Sequence, residues 1–364
     1  MKEIFLDAPN IGEKEKEYLN KCIDSTYIST AGPFVPEFEE KFAVYNKSTK
    51  AVAVQNGTAA IFMAFYELGI GPGDEVIVPV LSFIASVTPV VHLGATPVFA
   101  DIDINTWTID LDEIEKLITE KTKAIIPVHL YGNPCDMDRI MKIAEKHNIY
   151  VVEDATESLG ATYKGIKTGN FGDFGCFSFN GNKIMTTGGG GMVVSNNEKS
   201  TDHIKFLVNQ ARDASKGYYH PEVGFNYRLT NLQASLGLAQ LERLPEFLEK
   251  KRKYAEMYKN SFKGNSKIKF QGSYDATESS YWLPSVITES DKTIPEIQEL
   301  LKSREIPTRR IFMPFTEFPM FAQYRKGEYK NAYKLYERGL NLPGSTLNDY
   351  EQIEYICDII SEVI

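Results

Sequence analysis

Short β-branched runs alternating with helix-like segments between about residues 50 and 200 predict an α/β fold built on a mainly parallel sheet. Two further observations support this. The runs are apolar at almost every position, so their strands are buried on both faces and need helices on both sides. Near residue 240 the pattern changes to the long charged run ERLPEFLEKKRKYAEMYKNSF, and a smaller mixed region follows. The chain therefore divides into a large α/β domain over residues 1–240 and a smaller C-terminal α/β domain over 241–364, in keeping with about 150 residues per domain.

The strands, in order, are AVAV (51–54), EVIVP (75–79), PVFAD (97–101), KAIIPV (123–128), IYVVED (149–154), CFSF (176–179) and GMVVS (191–195). Helices are predicted over 58–68, closed by Gly69, and over 112–118 and 136–147, each opened by a capping residue or closed by a stop signal.

The composition, 43% hydrophobic and 24% charged, is that of a folded globular chain. A net charge of -9 offers no basic field for nucleic acid or anionic lipid, so any anionic ligand must be held by local groups. The opening MKEIFLDAPN lacks the apolar core of a signal peptide, and no stretch approaches the roughly 18 apolar residues that span a bilayer. A cytoplasmic protein is expected. Cys22, Cys135, Cys176 and Cys357 are scattered without a CxxC and read as buried thiols, and the five histidines show no metal-binding spacing.

Three glycine-rich stretches invite a nucleotide-binding reading and fail it on geometry. GIGPGDE (69–75) precedes a strand and contains Pro72, so it is a turn. In GATYKGIKT (160–168) Ile166 separates the second glycine from Lys167, which displaces the lysine from P-loop register. GNFGDFG (169–175) leads into a strand, the reverse of the dinucleotide fingerprint.

Four other segments carry chemistry. IYVVED delivers Glu153 and Asp154 to a strand end, where α/β sheets bind ligands; a carboxylate there needs a cationic partner, such as the pyridinium nitrogen of pyridoxal phosphate, or else caps the following turn. CFSFNGNKIMTTGGGGMVVS places Lys183 in a tight loop between two buried strands, next to Ile184 and Met185 and before four glycines. Desolvation makes a lysine amine nucleophilic, as a Schiff base requires, although a solvated loop lysine fits the segment equally well. QNGTAA (55–60) opens a helix at Gly57 and Thr58, which suits phosphate binding and equally suits plain capping by Thr58. Phe83 follows a strand end and fits either a core position or a stack on a flat ring. The order is more informative than any single segment: a phosphate-type turn, an aromatic, a strand-end Asp154, then Lys183 29 residues later.

In that order, YISTAGPFVPEFEEKFA (27–43), NGTAA, GDEVIVPVLSF, HLYGNPCDMD (129–138), EDATESLGA, FSFNGNKIMTTGGGG and GFNYRLTNLQAS (224–235) resemble the signatures of the DegT/DnrJ/StrS nucleotide-sugar aminotransferases over nearly the whole chain. The resemblance implies the fold type I of pyridoxal-phosphate (PLP) enzymes, with PLP as cofactor, Lys183 as the Schiff-base lysine and Asp154 on the pyridinium nitrogen. It further implies Gly57, Thr58 and Ser178 around the cofactor phosphate, Phe83 stacked on the ring, and Asn226 reaching the phosphate of a neighbouring subunit in a homodimer with shared sites. Many members read EDxAQ where this chain reads EDATE, so Glu157 stands in place of a glutamine near the cofactor's 3-hydroxyl. The implied reaction moves an amino group from L-glutamate to the C4 ketone of a nucleotide-linked 4-keto-6-deoxy sugar, most closely a UDP-N-acetylhexosamine, for surface glycan or glycoprotein biosynthesis. GDP- and TDP-linked sugars remain alternatives, as does sugar dehydration, which some relatives carry out with histidine in place of the lysine. A regulator that binds without turnover is a third possibility. Arg228, Arg309 and MPFTEFPMF (313–321) are candidates for the sugar side, with surface packing the other explanation.

Overall fold

The computed structural model describes residues 2–364. Its frame is a seven-stranded sheet of β1 (Lys50–Val54), β2 (Glu75–Pro79), β3 (Thr96–Ala100), β4 (Thr122–Ile125), β5 (Tyr150–Asp154), β6 (Phe174–Ser178) and β7 (Gly191–Ser195), in the spatial order β1-β7-β6-β5-β4-β2-β3. Pairs from β6 through β5, β4 and β2 to β3 are parallel, whereas β7 is antiparallel to both neighbours. The expected strands are all present; 75–79 and 191–195 match at both ends, and the others are shifted by up to three residues. The largest shift follows β4, which stops at Ile125; Pro127 has no N–H for a ladder, and Val128 returns only as an isolated bridge to Asp154.

This topology gathers the chemistry on one edge. Two antiparallel steps bring β1 back to the direction of β6, so the C-terminal ends of β1, β5 and β6 and the start of β7 lie together, with Gly191 facing both Val54 and Ser178. The β6–β7 loop, which carries Lys183, therefore has to sit above the sheet edge where the helix Gly57–Glu67 begins.

That helix is capped by Asn56, whose side chain accepts from Ala59 N, and it packs its almost wholly apolar surface on β6 and β7. The helices expected at 112–118 and 136–147 are Leu111–Leu117 and Met137–His147. GATYKGIKT forms a two-residue-per-strand hairpin, Thr162–Tyr163 against Ile166–Lys167. All four cysteines are free and buried.

The charged run belongs to one long helix, Asn231–Ser261, started by a capping box between Thr230 and Gln233. Its Leu238, Leu244 and Phe247 belong to the core around the large sheet, and its Tyr254 and Tyr258 to a second core. The second core lies on a four-stranded antiparallel sheet ordered Ile268–Phe270, Ser285–Thr288, Gly339–Asn341, Arg309–Arg310, covered by the helices Ile294–Lys302 and Tyr350–Val363. Ile4 from the other end of the chain is buried in the same cluster. Among the described residues, no helix is long and apolar enough to cross a membrane.

Candidate active site

A cleft of about 490 Å³ opens at the shared edge, lined by Gly57, Thr58, Phe83, Glu157, Ser178 and Lys183. Six of the eight sequence-derived site residues thus meet in one place. Asp154 lies just behind them, 2% exposed, its Oδ2 accepting from Ser86 Oγ (2.6 Å) and its Oδ1 from Thr156 N (3.1 Å) and Oγ1 (2.7 Å). Asn226 is exposed and outside this chain's cleft, paired through an isolated bridge with Asn209. Arg228 is also outside it, with a buried Nε that has no acceptor, whereas Arg309 and Phe312 line the cleft. In MPFTEFPMF, Phe315 and Phe321 are core residues packed on Phe99.

Strand geometry sorts the two adjacent carboxylates. Side chains alternate along β5, so Asp154 faces the cleft side and Glu153 the opposite one. Glu153 accepts from Gly169 N (2.7 Å), Phe171 N (2.6 Å) and Gly172 N (2.8 Å), and lies 3.0 Å from His129 Nε2. Because His129 Nδ1 accepts from Cys135 N, the ring proton is on Nε2 and points at Glu153. The GNFGDFG turn is therefore a clasp around a buried carboxylate.

Lys183 is held against the cleft wall by tertiary contacts. Its Nζ lies 3.9 Å from the centre of the Trp282 ring and 3.6 Å from Glu157 Oε1. Burial pulls its pKa below the ordinary lysine value, against the opposing charges of Glu157 and Asp154. Burial pushes Glu157 the other way, above the usual carboxylate range, partly offset by Lys183 and by the Tyr131 N–H that donates to Oε2 at 2.8 Å.

Three residues of this wall, Tyr131, Trp282 and Phe312, escaped the sequence reading. Tyr131 adopts a left-handed φ of +55°, a strained conformation for a bulky residue, and is fixed there by Glu157 and by stacking between Trp282 and Phe312. Trp282 Nε1 donates to Asn182 O at 2.6 Å, which pins the turn just before Lys183. The unusual φ leaves no mark in HLYGNP, and Trp282 is 100 residues from its partner.

The DegT/DnrJ/EryC1/StrS aminotransferase family matches residues 9–361. The chain belongs to this family. It is 43% identical to the GDP-perosamine synthase of Escherichia coli O157:H7 over 100% of this chain and 99% of that protein, and 42% identical to that of Caulobacter vibrioides over 96% of each. Among solved structures, Spr1654 of Streptococcus pneumoniae in its PLP-form superimposes with a TM-score of 0.94 at 30% identity over 100% of both chains. An aminotransferase of Psychrobacter cryohalolentis gives 0.94 at 31%, covering 99% and 98%. The fold is that of the family's sugar aminotransferases, and the protein is an aminotransferase dependent on pyridoxal phosphate.

The residues present fit that cofactor. Gly57 and Thr58, which open the helix Gly57–Glu67 and whose N–H groups precede the one capped by Asn56, line the cleft together with Ser178, a donor set suited to a phosphate. A Cβ on Gly57 would lie 2.8 Å from Ser178 Cβ and 3.1 Å from Thr156 Cγ2, so only glycine lets the backbone come this close.

Proposed function

We propose that this aminotransferase carries the amino group of L-glutamate to the C4 ketone of a GDP-linked 4-keto-6-deoxy sugar, releasing 2-oxoglutarate and a 4-amino sugar for surface glycan assembly. The observation that carries the reaction class is the largely buried Lys183 side chain, 11% exposed, whose amine faces Glu157 and Trp282 in the cleft that begins at Gly57. The choice of guanosine over uridine is supported by the curated relatives named GDP-perosamine synthase, 38 to 43% identical over 96% or more of this chain. A UDP-N-acetylhexosamine is the second reading, supported by a relative that aminates a UDP-glucosamine derivative, at 42% identity over 57% of this chain.

In this reading the start of the helix Gly57–Glu67, Thr58 and Ser178 bind the cofactor phosphate, and Phe83 covers the ring. Bound pyridoxal phosphate supplies the electron sink and carries the amino group between the half-reactions. Asp154 keeps the proton on the ring nitrogen, its own geometry set by Ser86 and Thr156. Lys183 takes the proton from the donor Cα, and its lowered pKa makes the neutral amine available for that step. Glu157 orients Tyr131 through one oxygen and offers the other to Lys183. Trp282 and Tyr131 close the inner wall against water. Two copies form a homodimer in which Asn226 serves the other copy's cofactor, in keeping with its exposed place outside its own cleft.

Incubating purified protein, pyridoxal phosphate and glutamate with GDP-, UDP- and TDP-4-keto-6-deoxy sugars, and weighing the products by mass spectrometry, tests the proposal. Amination of the GDP sugar in preference to the others is expected. A deoxygenated product, or amination restricted to UDP sugars, overturns it.

A further inference from the structure

The N-terminal segment is strapped down on both sides of Asp7. Phe5 N donates to Asn348 Oδ1 (2.9 Å), Gly344 N donates to Leu6 O (2.8 Å), and Ser345 Oγ donates to Ala8 O (2.8 Å). Between these ties the Asp7 carboxylate, 13% exposed, turns toward the cleft from behind its wall. Its Oδ2 accepts from Asn182 Nδ2 (3.0 Å) and from Arg309 NH1 (2.7 Å). One oxygen therefore joins three distant pieces of chain: the N-terminal segment, the residue preceding Lys183, and an arginine of the small sheet.

Asn182 and Arg309 both line the cleft, and Asp7 does not. Among the described residues, the remaining N–H groups of Arg309 have no acceptor from the chain, and its side chain is 37% exposed. A guanidinium fixed along one edge and free along the other is a fork for an oxyanion, because its planar donors match two oxygens at once. Anchoring it beforehand removes the rotamer freedom that a free arginine loses on binding.

We propose that Asp7 is a positioning residue: it aims Arg309 at an anionic oxygen group of the substrate and holds that receptor in register with Lys183. The inference rests on the aminotransferase reading above, in which both substrates bring such a group. These are the carboxylate of the amino donor and the diphosphate of the sugar nucleotide. The carboxylate shares its carbon skeleton with the reacting Cα, and the diphosphate lies one sugar ring away from the reacting C4, so each is within reach of a receptor tied to the residue next to Lys183.

The test compares Asp7→Asn, which keeps the shape and one acceptor, with Asp7→Ala, Arg309→Ala and the double alanine variant. For each, KM and kcat are measured for glutamate and for the keto sugar. Calorimetry on cofactor-free protein then gives Kd for glutarate and for guanosine and uridine diphosphates. The expected result is a rise of about tenfold in one KM for Asp7→Ala and for Arg309→Ala, with kcat little changed, and a smaller rise for Asp7→Asn. The double variant should be no worse than Arg309→Ala alone, because Asp7 acts through the arginine. A matching loss of glutarate binding assigns the site to the donor carboxylate, and a matching loss of nucleotide binding assigns it to the diphosphate. Unchanged KM and Kd values, effects that multiply in the double variant, or a fall in kcat alone overturns the proposal. If Asp7→Ala does not fold, Asp7→Asn carries the comparison. Should the wild type aminate no sugar, the functional reading fails while calorimetry still decides the role of Asp7.

Discussion

Glu157 Oε1 stands 3.6 Å from Lys183 Nζ in a site where burial drives both groups toward their uncharged forms. Each lowers the cost of the other's charge, so the pair is a single electrostatic unit. A glutamine at position 157, as in many family members, keeps an acceptor for the Tyr131 N–H and loses the charge.

Glu157→Gln is therefore expected to lower the Lys183 pKa further, since the largest influence opposing desolvation disappears. Only the neutral amine captures pyridoxal phosphate, so the pH at which cofactor-free protein reaches half its maximal capture rate should move toward acid. Stopped-flow absorbance on wild type and variant measures this directly. A shift toward alkali, or none, shows that Glu157 does not sustain the lysine's charge.

Gly57→Ala tests the phosphate cradle. The new Cβ meets Ser178 Cβ at 2.8 Å and Thr156 Cγ2 at 3.1 Å, so the helix start or β6 must move. A displacement of that size should weaken cofactor binding by about tenfold or more, roughly 1.4 kcal/mol. Equilibrium titration with pyridoxal phosphate reads the change, and an unaltered Kd with normal melting would remove Gly57 from the site.

The large sheet was legible because strands buried on both faces write nearly continuous apolar runs, and the order of its loops then placed Gly57, Asp154 and Lys183 on one edge. The direction of β7 was not legible, since Gly191–Ser195 reads the same whichever way it pairs. The inner wall was hidden for a different reason. Trp282, Tyr131 and Asp7 act through contacts 100 residues or more along the chain from their partners or through one strained backbone, and neither leaves a local pattern. Glu153 and Asp154 looked interchangeable as letters, although alternation along a strand already required them to face opposite ways. The small sheet offered the least signal, because its strands are only two to four residues long, too short for an alternating pattern to show.

Glu153→Ala should be among the most damaging single changes outside the cleft. It leaves the buried Gly169 N–H and His129 Nε2–H, and the part-buried Phe171 and Gly172 N–H groups, without their acceptor. Breaking a buried, fully hydrogen-bonded carboxylate in this way costs about 3–5 kcal/mol. The urea midpoint measures the loss, and a decrease under about 1 kcal/mol would mean that the clasp closes over water without penalty.

Lys251 lies 4% exposed on the long helix and donates from Nζ to Trp282 O (3.0 Å) and Gly344 O (2.8 Å), bracing the tryptophan that covers Lys183. Burial pulls its pKa down to about 8, against about 10.4 for the unfolded chain. Below about 8 the lysine is charged in both states, and the folded protein bears the full desolvation cost. Between about 8 and 10.4 the unfolded chain holds a proton that the folded protein has released, so stability from this group rises with pH across that window. Lys251→Met has no such proton, and every other titrating group is common to both proteins and cancels in the difference. The stability of wild type relative to Lys251→Met should therefore increase from pH 7 to pH 10 by up to about 3 kcal/mol, the equivalent of the whole shift. Urea unfolding of the two proteins at both pH values reads it, and a difference that stays flat would show that the Lys251 ammonium is fully compensated by the two carbonyls it holds.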